Sequence, residues 1–295
     1  MPAPQSGIFA TESTHHHFLE YCVDAAADTD GLSRALAQAL ELDGNGIHLV
    51  VAFGPELWGR IGTGAQPAGL RPFQPIDGGE RKAPATQRDL FLWLHGTSQA
   101  DVLDAAMAAH GVLGAHGTLE LDLPGFIYRD SRDLIGFVDG TANPKEDARF
   151  EAALIADGEP GAGGAFVMSQ KWVHDLPAFH ALPVEEQEQV VGRTKIDDIE
   201  LEGDTMPADS HVSRTDVKLD GVAQKIYRRS APYGVAGEHG LYFLAFACGI
   251  GRFQIQLDRM YGVSGDGLHD RLTEFSAAVT GSYWFAPDAE TLKKL

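Results

Sequence analysis

Residues 88–128, RDLFLWLHGTSQADVLDAAMAAHGVLGAHGTLELDLPGFIY, decide the fold. RDLFLWLHG is a short apolar run of strand length, and SQADVLDAAMAAHGVL opens on a serine cap and closes at a glycine, as an amphipathic helix does. TLELDLPGFIY follows as a further strand. Upstream, FLEYCVDA between His17 and Ala25 reads as a strand, DGLSRALAQALEL as a capped helix and IHLVVAFG as a β-branched strand. The Gly- and Pro-rich stretch from Gly59 to Pro84 reads as a loop. The order is β-α-β-β-α-β, the ferredoxin-like unit, in which an antiparallel sheet carries two helices on one face.

The second half repeats that order. AFVMSQKWVHD predicts a strand, LPVEEQEQVVGR a helix, KIYRRS and LYFLAFACG a strand pair, DRMYGVSGDGLHDRLTEFSAAVT helical segments and GSYWFAP the last strand. The expected chain is α+β, with one ferredoxin-like half over residues 1–130, a linker over 131–163 and a second half over 164–295. A polar insertion from about Thr194 to Val222 departs from the minimal unit, and loops of that length usually carry function or move. In LYFLAFACG, Leu241, Phe243 and Ala245 point one way while Tyr242, Leu244 and Phe246 point the other, so both faces are apolar. One face packs on helices; the other needs the other half's sheet or a bound flat hydrophobic group.

The 295 residues are 44% hydrophobic and 22% charged, enough for one large core or two ordinary ones. Asp+Glu 42 against Lys+Arg 23 leaves a formal charge of −19, which repels phosphate backbones and argues against nucleic acid as a partner. Cys22 and Cys248 are too few for a disulfide framework and suit a reducing cytosol. MPAPQSGIFATESTHHHF has no basic stretch before a long apolar run, and no segment approaches about 18 uninterrupted apolar residues. The expectation is a soluble, unexported, cytoplasmic chain with no membrane partner.

Candidate chemistry sits in separate stretches. RDLIGFVDGTANPKED places Asp139 between Gly136 and Gly140, whose freedom lets the backbone turn sharply and leaves the carboxylate unshielded. As a bare dipeptide it is an Asp-Gly turn. ADSHVSRTD sets His211 among small and polar residues, where a lone histidine is more often hydrogen-bonded or exposed than a ligand. His15, His16 and His17 point to alternate faces of a strand, cannot jointly clamp a metal, and read as residues of an exposed strand end. KIYRRSAPYG sends Arg228 and Arg229 to opposite faces; taken alone, both read as exposed, since an inward arginine needs an anionic partner. No CxxC, HExxH, Walker loop or GxSxG elbow occurs.

In that order, GFVDGTANP, SHVSR and YRRSAPYG resemble the dye-decolourising peroxidase family, and specifically its compact, non-secreted type B branch, over essentially the whole chain. The resemblance implies a fold of the dimeric α/β-barrel-like superfamily with haem b in the second half. It also implies reduction of hydrogen peroxide through a ferryl intermediate and one-electron oxidation of dyes, phenols or similar reducing substrates. Residue by residue it makes His211 the proximal iron ligand, Asp139 the distal acid-base carboxylate and Arg228 the distal arginine. Ser230 stands where many relatives carry asparagine, and is expected to reach the distal pocket only through water.

The chemistry asks for these residue types: an imidazole on one face of the iron, and on the other a carboxylate to move a proton and a guanidinium to stabilise the departing oxygen. Asp270 in HDRLTEF is the expected hydrogen-bond partner of His211, with Asp266 the alternative and helix capping the competing role for either. Arg193 and Arg214 are expected at the haem propionates, and Asn143 at the haem edge or as a turn residue before Pro144. Bulky donors are expected to lose electrons at the haem edge or through surface aromatics, with Trp172, Tyr283 and Trp284 as candidates. A homo-oligomer is the expected assembly, and AETLKKL shows no extended tail of the kind relatives use to enter encapsulating shells. The rival readings are a haem- or porphyrin-handling enzyme of the same superfamily and a non-catalytic haem-binding protein; distal Asp with Arg favours peroxide.

Overall fold

The first-half strands His15–Val23 (β1), Ile47–Phe53 (β2) and Leu90–Gly96 (β3) are buried along nearly their whole length, because helices cover one side and strands of the other half the other. Gly117–Phe126 (β4) alternates between half-buried and exposed, as an edge strand does. The computed structural model, which describes residues 2–295, pairs these strands antiparallel in the order β4-β1-β3-β2. Thr29–Leu40 (α1), capped by Asp28, and Gln99–Leu113 (α3), capped by Ser98, lie on the outer face. Between β2 and β3, the stretch expected to be loop from Gly59 to Pro84 instead begins inside a helix, Pro55–Ile61 (α2), started by proline at its first turn, and then forms a hairpin at Ile76–Gly78 and Arg81–Ala83.

The main elements of the second half are Ala165–His174 (β5), Val184–Val191 (α4), His211–Thr215 (α5), Tyr227–Arg228 (β6), Ala231–Val235 (β7), Glu238–Ala247 (β8), Gly251–Met260 (α6), Ser276–Ala278 (β9) and Ser282–Ala286 (β10). Among the described residues one sheet runs β6-β8-β5-β10-β2-β3-β1-β4, with β7 on β8 and β9 on β5. Phe285 of β10 pairs with Phe53 of β2 and joins the halves. At the far edges, a Cβ on Gly125 of β4 would lie only 3.2 Å from Ala231 Cβ of β7, so glycine lets the ends meet and the sheet nearly closes into a barrel.

Inside the barrel Phe18, Phe91 and Trp93 pack against Tyr242, Phe246 and Trp284, the Phe18 and Tyr242 rings stacking at 4.1 Å. Glu20 is buried among them. It accepts the Tyr242 hydroxyl at 2.6 Å and that of Ser169 at 3.1 Å, and burial pushes its carboxyl above the usual range. The Tyr242 face of LYFLAFACG thus meets the other half's sheet, while Leu241 and Phe243 line a cavity on the opposite face. The Tyr242 side bears out the sheet-packing reading, and the opposite side faces a cavity.

Two local expectations change. The helix of the last crossover is α6, upstream of the expected 258–280 segment; Gly262, Gly265 and Gly267 at positive φ then break the chain into a loop, and β9 is a strand. Helix α4 does not lie on the sheet. Its Val190 and Val191 pack on Ile135, Phe137 and Phe179, forming a roof that stands off the sheet and leaves the cavity beneath.

Candidate active site

The cavity, of about 300 Å³, is walled by Met168, Trp172, Leu241 and Phe243 from the sheet and by Leu257 and Met260 from α6. His211 enters from one side as the first residue of α5, where Ser210 caps the helix by accepting the Ser213 N–H at 3.3 Å. Its Nδ1–H donates to Asp270 Oδ2 at 2.6 Å. Asp270 is fully buried and its other oxygen accepts the Leu272 N–H at 2.9 Å, so it is both the histidine's partner and a helix cap. His174 also lines the cavity, but its ring nitrogens meet Ser276 and Asp133. His211 Nε2 takes no hydrogen bond from the described residues, which leaves a lone pair for a ligand field.

Asp139 and Arg228 belong to the same cavity wall. The Asp139 turn is held by its own N–H donating to Ser131 O at 2.9 Å, and by Arg132 Nη1 donating to the carbonyls of Gly136 and Lys195 at 2.9 and 2.6 Å. Gly136 and Gly140 take φ of 97° and 95°, a region in which side chains are strained. Arg228 Nη2 stands 3.9 Å from Asp139 Oδ1, both side chains keeping part of their surface open to the cavity. Burial raises the Asp139 pKa above its ordinary value, against the opposing pull of the Arg228 charge. Asn143 grips Arg228 through the backbone, accepting its N–H and donating to its C=O, each at 2.8 Å. It is a positioner of the arginine. Ser230, whose Oγ accepts the Leu244 N–H at 3.3 Å, lines the same wall.

Other expected residues lie elsewhere or are already engaged. Arg214 is buried, donating to both oxygens of Asp266 and to the carbonyls of Arg259 and Leu268; it ties α5 to α6 and does not line the cavity. Asp266 is therefore the partner of Arg214, not of His211. Arg193 does reach the cavity wall, but its guanidinium is held by Asp198 at 2.7 Å and Glu200 at 2.6 Å. Tyr283 and Trp284 are buried, and Trp172, 7% exposed, faces the cavity; none is a surface aromatic.

Residues that sequence reasoning placed on the surface turn inward. Arg229 does point opposite Arg228, yet it donates to the carbonyls of Ile8 and Ala10 at 2.7 and 2.5 Å and lies 4.9 Å over the Trp93 ring. Strand alternation holds, but the amino-terminal segment covers the second face. His16 and His17 are buried as well. No sequence signal marked them, since what covers a strand face comes from distant residues.

An imidazole backed by a carboxylate, and a carboxylate beside a guanidinium, meet at one apolar cavity built by the second half and the segment before it, and define a cofactor-dependent oxidoreductase. The sequence matches the family described as Dyp-type peroxidase, N-terminal, over residues 5–126 and Dyp-type peroxidase, C-terminal, over residues 130–291. A dye-decolorizing peroxidase of Rhodococcus erythropolis is 34% identical over 99% of this chain and 86% of its own length. That of Mycobacterium tuberculosis is 36% identical over 91% and 81%. Among solved structures, a Dyp-type peroxidase protein from Shewanella oneidensis superposes with a TM-score of 0.94 at 33% identity, covering 100% of this chain and 99% of that one. A Rhodococcus jostii RHA1 DypB variant in complex with heme does so at 0.92 and 33%, covering 99% of each. The chain belongs to the Dyp-type peroxidase family.

Proposed function

We propose that this chain is a haem b peroxidase in which His211 is the proximal ligand, Asp139 the distal proton carrier and Arg228 the distal cation. The observation that carries the reading is the pairing of His211 with Asp270 in the cavity that Asp139 and Arg228 also line. The residues fit the group: the walls are apolar, the Asp270-backed imidazole offers Nε2, and Gln170 Nε2 in the wall is buried without a partner among the described residues.

When bound, haem supplies the redox chemistry that takes two electrons to peroxide and recovers them singly from donors. Asp270 accepts from His211 Nδ1–H, fixing the ring and making Nε2 a stronger donor. The Asp139 carboxylate takes a proton from one peroxide oxygen and returns it to the other, and the Arg228 guanidinium stabilises negative charge on the leaving oxygen. Asn143 holds Arg228 in place for that. Dyes and phenols, too bulky for the distal side, give up electrons from outside the cavity. Free Cys22 and Cys248 support a cytoplasmic location, and no helix among the described residues is long and apolar enough to cross a membrane. We further propose a homo-oligomer, which sedimentation velocity tests.

His211→Ala is expected to abolish most haem binding, read by pyridine haemochrome, because it removes the sole protein ligand to iron. Full, normally ligated haem in that variant would assign the iron to another residue. Mixing peroxide with the wild-type holoprotein must shift the Soret band; an unmoved band would leave a haem carrier without turnover.

A further inference from the structure

Asp133, His174 and Ser276 form a hydrogen-bonded chain in the cavity wall, separate from the His211–Asp270 pair. Asp133 and Ser276 are buried, and the His174 side chain is 6% exposed. Ser276 of β9 and His174 of β5 face each other across the ladder, Ser276 Oγ meeting His174 Nδ1 at 2.7 Å. His174 Nε2 meets Asp133 Oδ2 at 3.2 Å. A carboxylate can only accept, so Nε2 carries the hydrogen and Nδ1 of the neutral ring accepts the Ser276 hydroxyl. The other oxygen of Asp133 accepts the Ile135 N–H at 2.8 Å. N–H donors therefore hold both oxygens, as suits the charged form.

The backbone links this chain to Asp139. Asp133 N–H donates to Phe137 O and Asp139 N–H to Ser131 O, each at 2.9 Å, and Arg132 pairs antiparallel with Val138. In that register Ser131 opposes Asp139 and Asp133 opposes Phe137. Alternation then sets Asp133 and Asp139 on one face of the hairpin as diagonal neighbours, about 7–8 Å apart. Two carboxylates so placed oppose each other's ionisation. Burial is the largest influence raising the Asp139 pKa, Arg228 of β6 opposes it, and the Asp133 charge adds to burial, with His211 of α5 a weaker opposing group. Arg132, on the hairpin's other face, donates to Asp130 and to the carbonyls of Gly136, Lys195 and Ile196, and Asp198 meets the Thr141 hydroxyl beyond Gly140.

We propose that Asp133, anchored by His174, is a positioning residue for Asp139: it fixes the hairpin to strand β5 and supplies a second negative charge that makes Asp139 a more avid proton acceptor. The inference rests on Asp139 being the distal proton carrier. One carboxylate keeps its charge while the other moves the proton. A stronger base takes the peroxide proton faster, and the same charge brings protonation of Asp139 closer to neutral pH. Asp133 thus raises the rate near neutrality and lowers it in acid.

The test is Asp133→Asn in haem-loaded protein, with rates taken per haem counted by pyridine haemochrome. Asparagine Oδ1 can still accept the Ile135 N–H, and its amide can donate to the other tautomer of His174, whose Nδ1–H then donates to Ser276. The bonding persists while the charge goes. The acid limb of the peroxide reaction is expected to shift to lower pH and the plateau at neutral pH to fall, so the variant and wild-type profiles cross. In infrared titration of the holoprotein, the carboxyl band that Asp139→Ala lacks should disappear at lower pH in Asp133→Asn than in wild type. Asp133→Ser, also uncharged, should move limb and band the same way, so one misfolded variant does not decide the result. His174→Phe removes the anchor and should lower the plateau by up to about 10²-fold through misplacement of the hairpin. His174→Gln, which can still bridge Ser276 and Asp133, should restore most of that rate.

A rate that drops equally at every pH in Asp133→Asn, or a carboxyl band that does not move, would overturn the role of the charge. Wild-type rates in His174→Phe would overturn the anchor. An acid limb that persists in Asp139→Ala removes the distal assignment itself, whereas a limb lost there but unmoved in Asp133→Asn removes only the part given to Asp133.

Discussion

In the role proposed for it, Asp139 works only while it can accept a proton, and its surroundings set the pH at which it can. Burial lifts its pKa and the Arg228 charge pulls it back, with the first prevailing. The acid limb of the peroxide rate is therefore expected above the ordinary aspartate range: the rate falls as pH drops through the raised pKa, because the protonated carboxyl cannot take the peroxide proton. Asp139→Ala should abolish that limb and slow the reaction by about 10²–10⁴-fold, and Arg228→Ala should slow it by about 10²–10³-fold, both with haem retained. Stopped-flow mixing with peroxide across pH reads both. An acid limb that persists in Asp139→Ala would place the base elsewhere. These residues were legible because glycines flanking a carboxylate, a histidine in a polar insertion and paired arginines recur in one order. The partners of Arg193 and Arg214 were not legible, because a positive charge near a ligand motif says nothing about Asp198, Glu200 and Asp266, which hold those arginines.

Strand β6 shows how far periodicity reaches at the scale of an element. Alternation separates Arg228 from Arg229, but only tertiary structure reveals that the segment Ser6–Phe9 and the Trp93 ring close over the second face. Arg229→Ala is consequently expected to destabilise the protein by about 2–4 kcal/mol, since it leaves buried carbonyls without a donor and removes a cation–π contact. Denaturant titration checks this, and a silent substitution would mean that the segment is held by other contacts. The long strands and α3 were legible from apolar runs and caps, whereas the short strand β9 lay in a stretch expected to be helical. Helix α6 was not, because GRFQIQLDRM buries only Phe253, Gln256 and Leu257 and follows directly on a long apolar strand. Helix α4 was legible as a helix, but its stand-off position was not, because its partners Ile135 and Phe137 lie in the segment between the halves.

Across the whole molecule, Glu20 with Tyr242 and Ser169 forms a buried polar contact between the halves inside the barrel. Its raised pKa means that folding favours the protonated carboxyl, a contribution fully present below the ordinary value of about 4.5 and lost as pH rises through the folded-state value. Glu20→Gln keeps an acceptor for Tyr242 but cannot ionise. Its stability relative to wild type should therefore increase from acid toward neutral pH and then level off, by about 1.4 kcal/mol for each unit of the shift. A difference that stays flat across pH would show that Glu20 does not titrate with unfolding. The stand-off of α4 gives haem a second office. In the first half, helices fill the outer face of the sheet; in the second, part of that face is left open as the cavity, so haem bound there as proposed would be a packing element whose binding energy belongs to the stability of that half. Stripping haem should loosen residues 176–225 and 261–274, read as faster amide hydrogen exchange, while β1 to α3 keep their protection. In this half of the protein, losing the reagent and losing the core are one event.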